Sequence, residues 1–182
     1  MADRQRLFFA LWPAEKLQRQ WAEMARARLG DLDGRLVPHR NLHLTLAFLG
    51  DVDEARRRCV EAAADGIEAA TFSITLAQLG YWRRANVIWL GPRQTPPALK
   101  SLVRQLQESL KSCGFQEAGR DYRPHMTLMR KARRRPPRVV FEPLAWRVDR
   151  FVLARSRLSS AGAEYEILKV WSLSKGARPL KH

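Results

Sequence analysis

The stretch Asn41-Leu42-His43-Leu44-Thr45-Leu46-Ala47-Phe48-Leu49-Gly50 opens with polar and apolar side chains in alternation, the pattern of an extended chain that buries one face. Residues i and i+2 of a strand share a face, so His43 and Thr45 project together while Leu42, Leu44 and Leu46 point the other way. The pattern returns 82 residues later in Arg123-Pro124-His125-Met126-Thr127-Leu128. One His-x-Thr on a strand is an ordinary solvent-facing pair. Two of them, each followed by leucine, form an internal echo, and we read residues 42–49 and 124–130 as the strands that carry it.

Working outward, residues 7–12 read as a buried strand, and Pro13-Ala14-Glu15 opens a helix with Leu17, Trp21, Met24, Ala25 and Leu29 at three-to-four spacing, closed by Gly30. Asp53-Glu54 starts a second helix through Ala55, Cys59, Ala62, Ala63 and Ile67. Strands are expected at 72–76 and 87–90. Thr95-Pro96-Pro97 starts a third helix through Leu99, Leu102, Val103, Leu106 and Leu110, which Gly114 ends. Two further strands, 150–158 and 164–173, follow. This order suits an α+β fold with antiparallel sheets. A chain of 182 residues, 46% hydrophobic, fits one domain over 1–182 or two small packed lobes. It holds no G-x-G-x-x-G and no Walker phosphate loop.

The formal net charge of +15 favours a polyanionic partner through steering and counterion release. The run from Arg130 to Arg138 holds six basic residues in nine and is read as an exposed loop that guides RNA. Tyr81-Trp82-Arg83-Arg84 mixes rings and cations as single-strand binders do. Cys59 and Cys113 form no metal-binding spacing and are expected to be small buried side chains of a reducing compartment, the cytoplasm, with one disulfide between them as the alternative. No apolar run is long enough to cross a bilayer, so no membrane partner is expected.

A phosphodiester needs a base for the attacking nucleophile and an acid for the departing oxygen, and histidine titrates where both are feasible. Threonine hydroxyls can hold the non-bridging oxygens as charge builds. With no H-E-x-x-H and no acidic cluster, we expect neither metal nor cofactor. The competing reading is a metal pair that uses His39 or His182.

The two H-x-T-x motifs resemble those of the two-histidine phosphoesterase superfamily, specifically the bacterial RNA 2′,3′-cyclic phosphodiesterases also described as 2′-5′ RNA ligases. Leu7-Phe8-Phe9-Ala10-Leu11, Gly162-Ala163-Glu164-Tyr165 and Trp171 add to the likeness. It implies a bilobal, pseudo-symmetric fold of two antiparallel sheets flanked by helices, with a central groove between the motifs. It implies His43 as proton donor to the leaving 3′ oxygen, His125 as proton acceptor, and Thr45 and Thr127 on the phosphate. The likeness implies Arg130 at the nucleotide, although strand parity puts it on the face opposite His125 unless the strand ends or bends, and Phe48 could offer a facing ring; the alternatives are a surface arginine and a core phenylalanine. The substrate would be RNA ending in a 2′,3′-cyclic phosphate, tRNA fragments included, opened to a 2′-phosphate by a monomer, with weak reversible 2′-5′ ligation. The alternatives are an RNA-end-binding module without catalysis, or a phosphodiesterase for small cyclic nucleotides or 2′-5′ oligonucleotides.

Overall fold

A computed structural model describes residues 4–116, 121–138, 140–159 and 162–174. His182 lies outside them. The order is β1 (Gln5–Leu11), α1 (Glu15–Leu29), β2 (Arg35–Leu36), a 3-10 turn (His39–Asn41), β3 (Leu44–Val52), α2 (Glu54–Asp65), β4 (Phe72–Leu76), β5 (Gln78–Trp82), β6 (Val87–Gly91), α3 (Pro97–Lys111), β7 (Met126–Arg130), β8 (Leu144–Val148), β9 (Arg150–Ser159) and β10 (Gly162–Ser172). One four-stranded sheet runs β10-β9-β1-β3, a second runs β2-β7-β6-β5, and β4 pairs with β8 in a separate ribbon. Every one of these strand pairings is antiparallel. The first His-x-Thr thus leads into the edge strand β3 of one sheet and the second into β7 inside the other.

The helices follow from local chemistry. Asp53 caps α2 by accepting the Arg56 backbone N–H at 2.8 Å, and Pro97 sits where an N–H would have no partner in α3. Leu99, Leu102, Val103, Leu106 and Leu110 bury the inward stripe of α3, and Gly114 leaves it at a φ of 80°. Trp21, Ala25 and Leu29 do the same for α1. One continuous core joins these stripes to Leu44, Leu46, Met126 and Leu128 from the two motif strands. A smaller cluster of Phe8, Ala10, Val152 and Ala154, with Trp12 and Tyr165 against it, lies on the other face of the first sheet.

Several expectations are corrected. Cys59 and Cys113 form a disulfide, because the packing of α2 against α3 brings their Cα atoms to 5.8 Å. The cysteines therefore give no argument for a reducing compartment. β3 does not stop at Gly50 but runs to Val52, with Gly50 turned at a φ of 71°. Ile67 lies beyond the end of α2. Three strands escaped the sequence reading: β2 is too short to show a period, and β8 follows Pro143. β5 contains Gly80, where a Cβ would stand 2.0 Å from the Trp89 ring, so glycine here serves close packing and hides the strand.

Candidate active site

Both histidines sit one residue before a strand and are fixed in the same way. His43 Nδ1–H donates to the Asn41 carbonyl at 2.8 Å, and His125 Nδ1–H donates to the Arg123 carbonyl at 2.8 Å. A carbonyl only accepts, so the neutral rings carry their proton on Nδ1 and turn a bare Nε2 outward. The Thr45 hydroxyl donates to His43 Nε2 at 3.2 Å. When His43 is protonated that bond reverses and frees the hydroxyl hydrogen for an anion. Asn41 is itself tied down, its Nδ2 donating to the Ala163 carbonyl at 2.7 Å, and Tyr122 Oη donates to the Thr45 carbonyl at 2.9 Å. Burial pushes the Tyr122 phenol above its ordinary range, so it remains a donor.

His43, Thr45, His125 and Thr127 all line one hollow of about 540 Å³, together with Phe48, Trp82 and Arg130. A second hollow of about 830 Å³, walled by Phe115, Gln116 and Tyr122, adjoins it and shares Thr45, Phe48, Trp82 and His125. Leu42, Leu44, Met126 and Leu128 are buried on the opposite face, as alternation requires. His39 lies away from the hollow, 3.9 Å from a Glu15 oxygen. Among the described residues no group of three or more His, Cys, Asp or Glu is placed to hold a metal ion.

Arg130 reaches the hollow against the parity argument, and a β-bulge is the reason. In the β6–β7 ladder Ile88 pairs with Met129 and Trp89 with Thr127, which leaves Leu128 as an extra residue. That one-residue slip turns Arg130 to the face of His125 and Thr127. β3 repeats the device: Phe9 pairs with Ala47 and Ala10 with Thr45, leaving Leu46 extra, so Phe48 joins the face of His43 and Thr45. Phe48 is 72% exposed, which removes it from the core, and its ring lies 6.1 Å from that of Phe8.

The two rings have different walls. His43 is stacked on Trp12 at 5.0 Å with planes 2° apart, meets the edge of Tyr165 at 5.0 Å, and touches Phe8. His125 meets Trp82 edge-on at 4.3 Å. Burial, then the Arg130 and His125 charges, lower the His43 pKa from 6.5 to about 4, against an opposing contribution from the Asn41 carbonyl. Burial and then Arg130 also hold His125 below its ordinary value. A bound phosphodiester anion acts in the opposite sense and raises both. Sequence reasoning missed Trp12, Phe8 and Tyr165. The legible signal was Phe8-x-Ala10-x-Trp12, an alternation on the second face of a strand read as uniformly buried.

The family model described as "2'-5' RNA ligase superfamily" matches residues 13–159. An RNA 2',3'-cyclic phosphodiesterase from Escherichia coli (strain K12) is 33% identical over 179 residues, covering 96% of this chain and 100% of that protein. Another of that name, from Thermotoga maritima, is 30% identical over 175 residues, covering 90% and 92%. The crystal structure of E. coli LigT complexed with 3'-AMP superposes with a TM-score of 0.84 at 33% identity, over 94% of this chain and 99% of that one.

Proposed function

The chain belongs to the 2'-5' RNA ligase superfamily, and on that premise we propose that it hydrolyses RNA 2′,3′-cyclic phosphates to RNA 2′-phosphomonoesters with His43 and His125 as acid and base. The observation that carries this reading is the pair of bare Nε2 atoms, each fixed by a backbone carbonyl at its Nδ1, at one hollow that also holds two threonine hydroxyls and a guanidinium.

With the phosphodiester anion bound, His43 takes up a second proton on Nε2; water then attacks phosphorus as His125 takes its proton, and the bond from phosphorus to the 3′ oxygen breaks as His43 gives that oxygen its Nε2 proton. The phosphate stays on the 2′ oxygen, and solvent returns both rings to their starting states. Thr45 and Thr127 donate to the non-bridging oxygens as their charge grows, and Arg130 adds a positive charge that needs no reorganisation. Phe48 offers an exposed ring to a base. A 5′-hydroxyl in place of water makes a 2′-5′ linkage by the same step, which accounts for weak reversible ligation. One chain supplies every group, so a monomer suffices, and the continuous core supports treating residues 1–182 as a single two-lobed domain. Fragments of tRNA that end in a cyclic phosphate are the substrate source we assign.

The test is purified protein in excess chelator with RNA that ends in a 2′,3′-cyclic phosphate, followed by determination of the phosphate position. Turnover to a 2′-phosphate is expected. A 3′-phosphate product, or turnover only after a divalent metal is restored, overturns the reading.

A further inference from the structure

The turn between β5 and β6 and the segment after β7 are distant in sequence but locked together. The Ala132 backbone N–H donates to the Asn86 carbonyl at 3.0 Å, and Tyr81 Oη donates to the Ala132 carbonyl at 3.0 Å. On the other side the Arg133 N–H donates to the Asp33 carbonyl at 3.2 Å. Ala132 is wholly buried as a result. Asn86 and Lys131 adopt left-handed φ values of 52° and 56°, which bend the chain at each segment.

These bonds gather seven cations on one ridge: Arg83 and Arg84 from the turn, and Arg130, Lys131, Arg133, Arg134 and Arg135 from the segment, all exposed. None has an ion-pair partner among the described residues, whereas nine salt bridges occupy carboxylates elsewhere. The backbone of Asp33 is bound at the ridge, but its carboxylate pairs with none of them. A run of arginines is usually a solvated face, and such a face tolerates motion. Here the backbone is held at three points, and the cations are left without carboxylates.

The ridge is continuous with the groove at both ends of its own construction. Arg130 lines the hollow of the two histidines, and Trp82, which packs on His125, immediately precedes Arg83. We propose that this ridge binds the phosphodiester backbone of the RNA upstream of the reacting end, so that the enzyme selects polynucleotides over small cyclic nucleotides. The inference rests on the proposed function for its substrate end and on the ridge for its selectivity. A guanidinium paired with phosphate oxygens gains no base information, so a track built on such pairs is indifferent to sequence.

The test compares wild-type protein with Arg133→Gln/Arg134→Gln/Arg135→Gln, and separately with Arg83→Gln/Arg84→Gln in case the first variant folds poorly. Binding of a fluorescent single-stranded RNA of about ten nucleotides is followed by anisotropy across a salt series. The triple variant should bind on the order of 10- to 100-fold more weakly at 0.1 M salt, and its log-log salt slope should fall by about 2. The double variant should shift in the same direction. Turnover of a mononucleotide 2′,3′-cyclic phosphate should be unchanged in both, which also shows them folded. Equal RNA affinity and salt slope in all three proteins overturns the ridge. Absence of turnover of RNA ending in a 2′,3′-cyclic phosphate by the wild type overturns the catalytic reading instead.

Discussion

The His43 and His125 halves of the site share a backbone and differ in their walls. Each has a carbonyl two residues upstream on Nδ1, a threonine two residues downstream, and a bulged leucine that turns the residue after next into the groove. In the first half that residue is Phe48 and the histidine is enclosed by Trp12, Tyr165 and Phe8. In the second it is Arg130, and the ring beside His125 is Trp82. The difference teaches that one local geometry can serve two tasks: it places an imidazole Nε2 at the groove twice, while one wall contributes apolar surface and the other charge.

The largest effect expected on either half, short of removing the histidines, comes from the threonines. Thr45→Val and Thr127→Val should each lower kcat on the order of 100-fold with little change in KM, measured on RNA with a cyclic-phosphate end. A loss confined to Thr45, the hydroxyl already bound to a histidine, would break the equivalence of the halves.

Acid stability should separate them next. The folded pKa of His43 is depressed to about 4, so the unfolded chain binds its proton first and stability is lost as pH falls through 6.5. Between those values the loss amounts to as much as about 3 kcal/mol. His43→Asn should flatten that part of the urea-denaturation profile against pH, and the same change at His125 should flatten it less.

Phe48→Ala should then raise KM by roughly 5- to 100-fold through lost stacking, with the pH profile in place. Arg130→Gln should do the reverse kind of thing. Its charge holds both histidines down, so its removal should move the bell of kcat/KM to higher pH. A pH shift in Phe48→Ala, or none in Arg130→Gln, would undo the division of labour between the walls.

How much of this could be read from the chain depends on which interactions are local. The helices were legible because Asp53, Pro97 and the stripes at three-to-four spacing act within a few residues. The histidines and threonines were legible because alternation fixes their face. Arg130 and Phe48 were not placed by alternation, since Leu128 and Leu46 bulge in answer to the partner strands β6 and β1, which lie far away in sequence. The Cys59–Cys113 bond, the aromatic enclosure of His43 and the strand hidden by Gly80 are likewise set by tertiary packing.

The central claim is that His43 and His125 work as one acid–base unit. Single-turnover rates of His43→Ala, His125→Ala and the double variant on RNA with a 2′,3′-cyclic phosphate test it directly. Each single variant should fall by about 100- to 10,000-fold, and the double should fall little further, because either loss already disables the pair. Undiminished turnover in either single variant, or losses that multiply in the double, would contradict it.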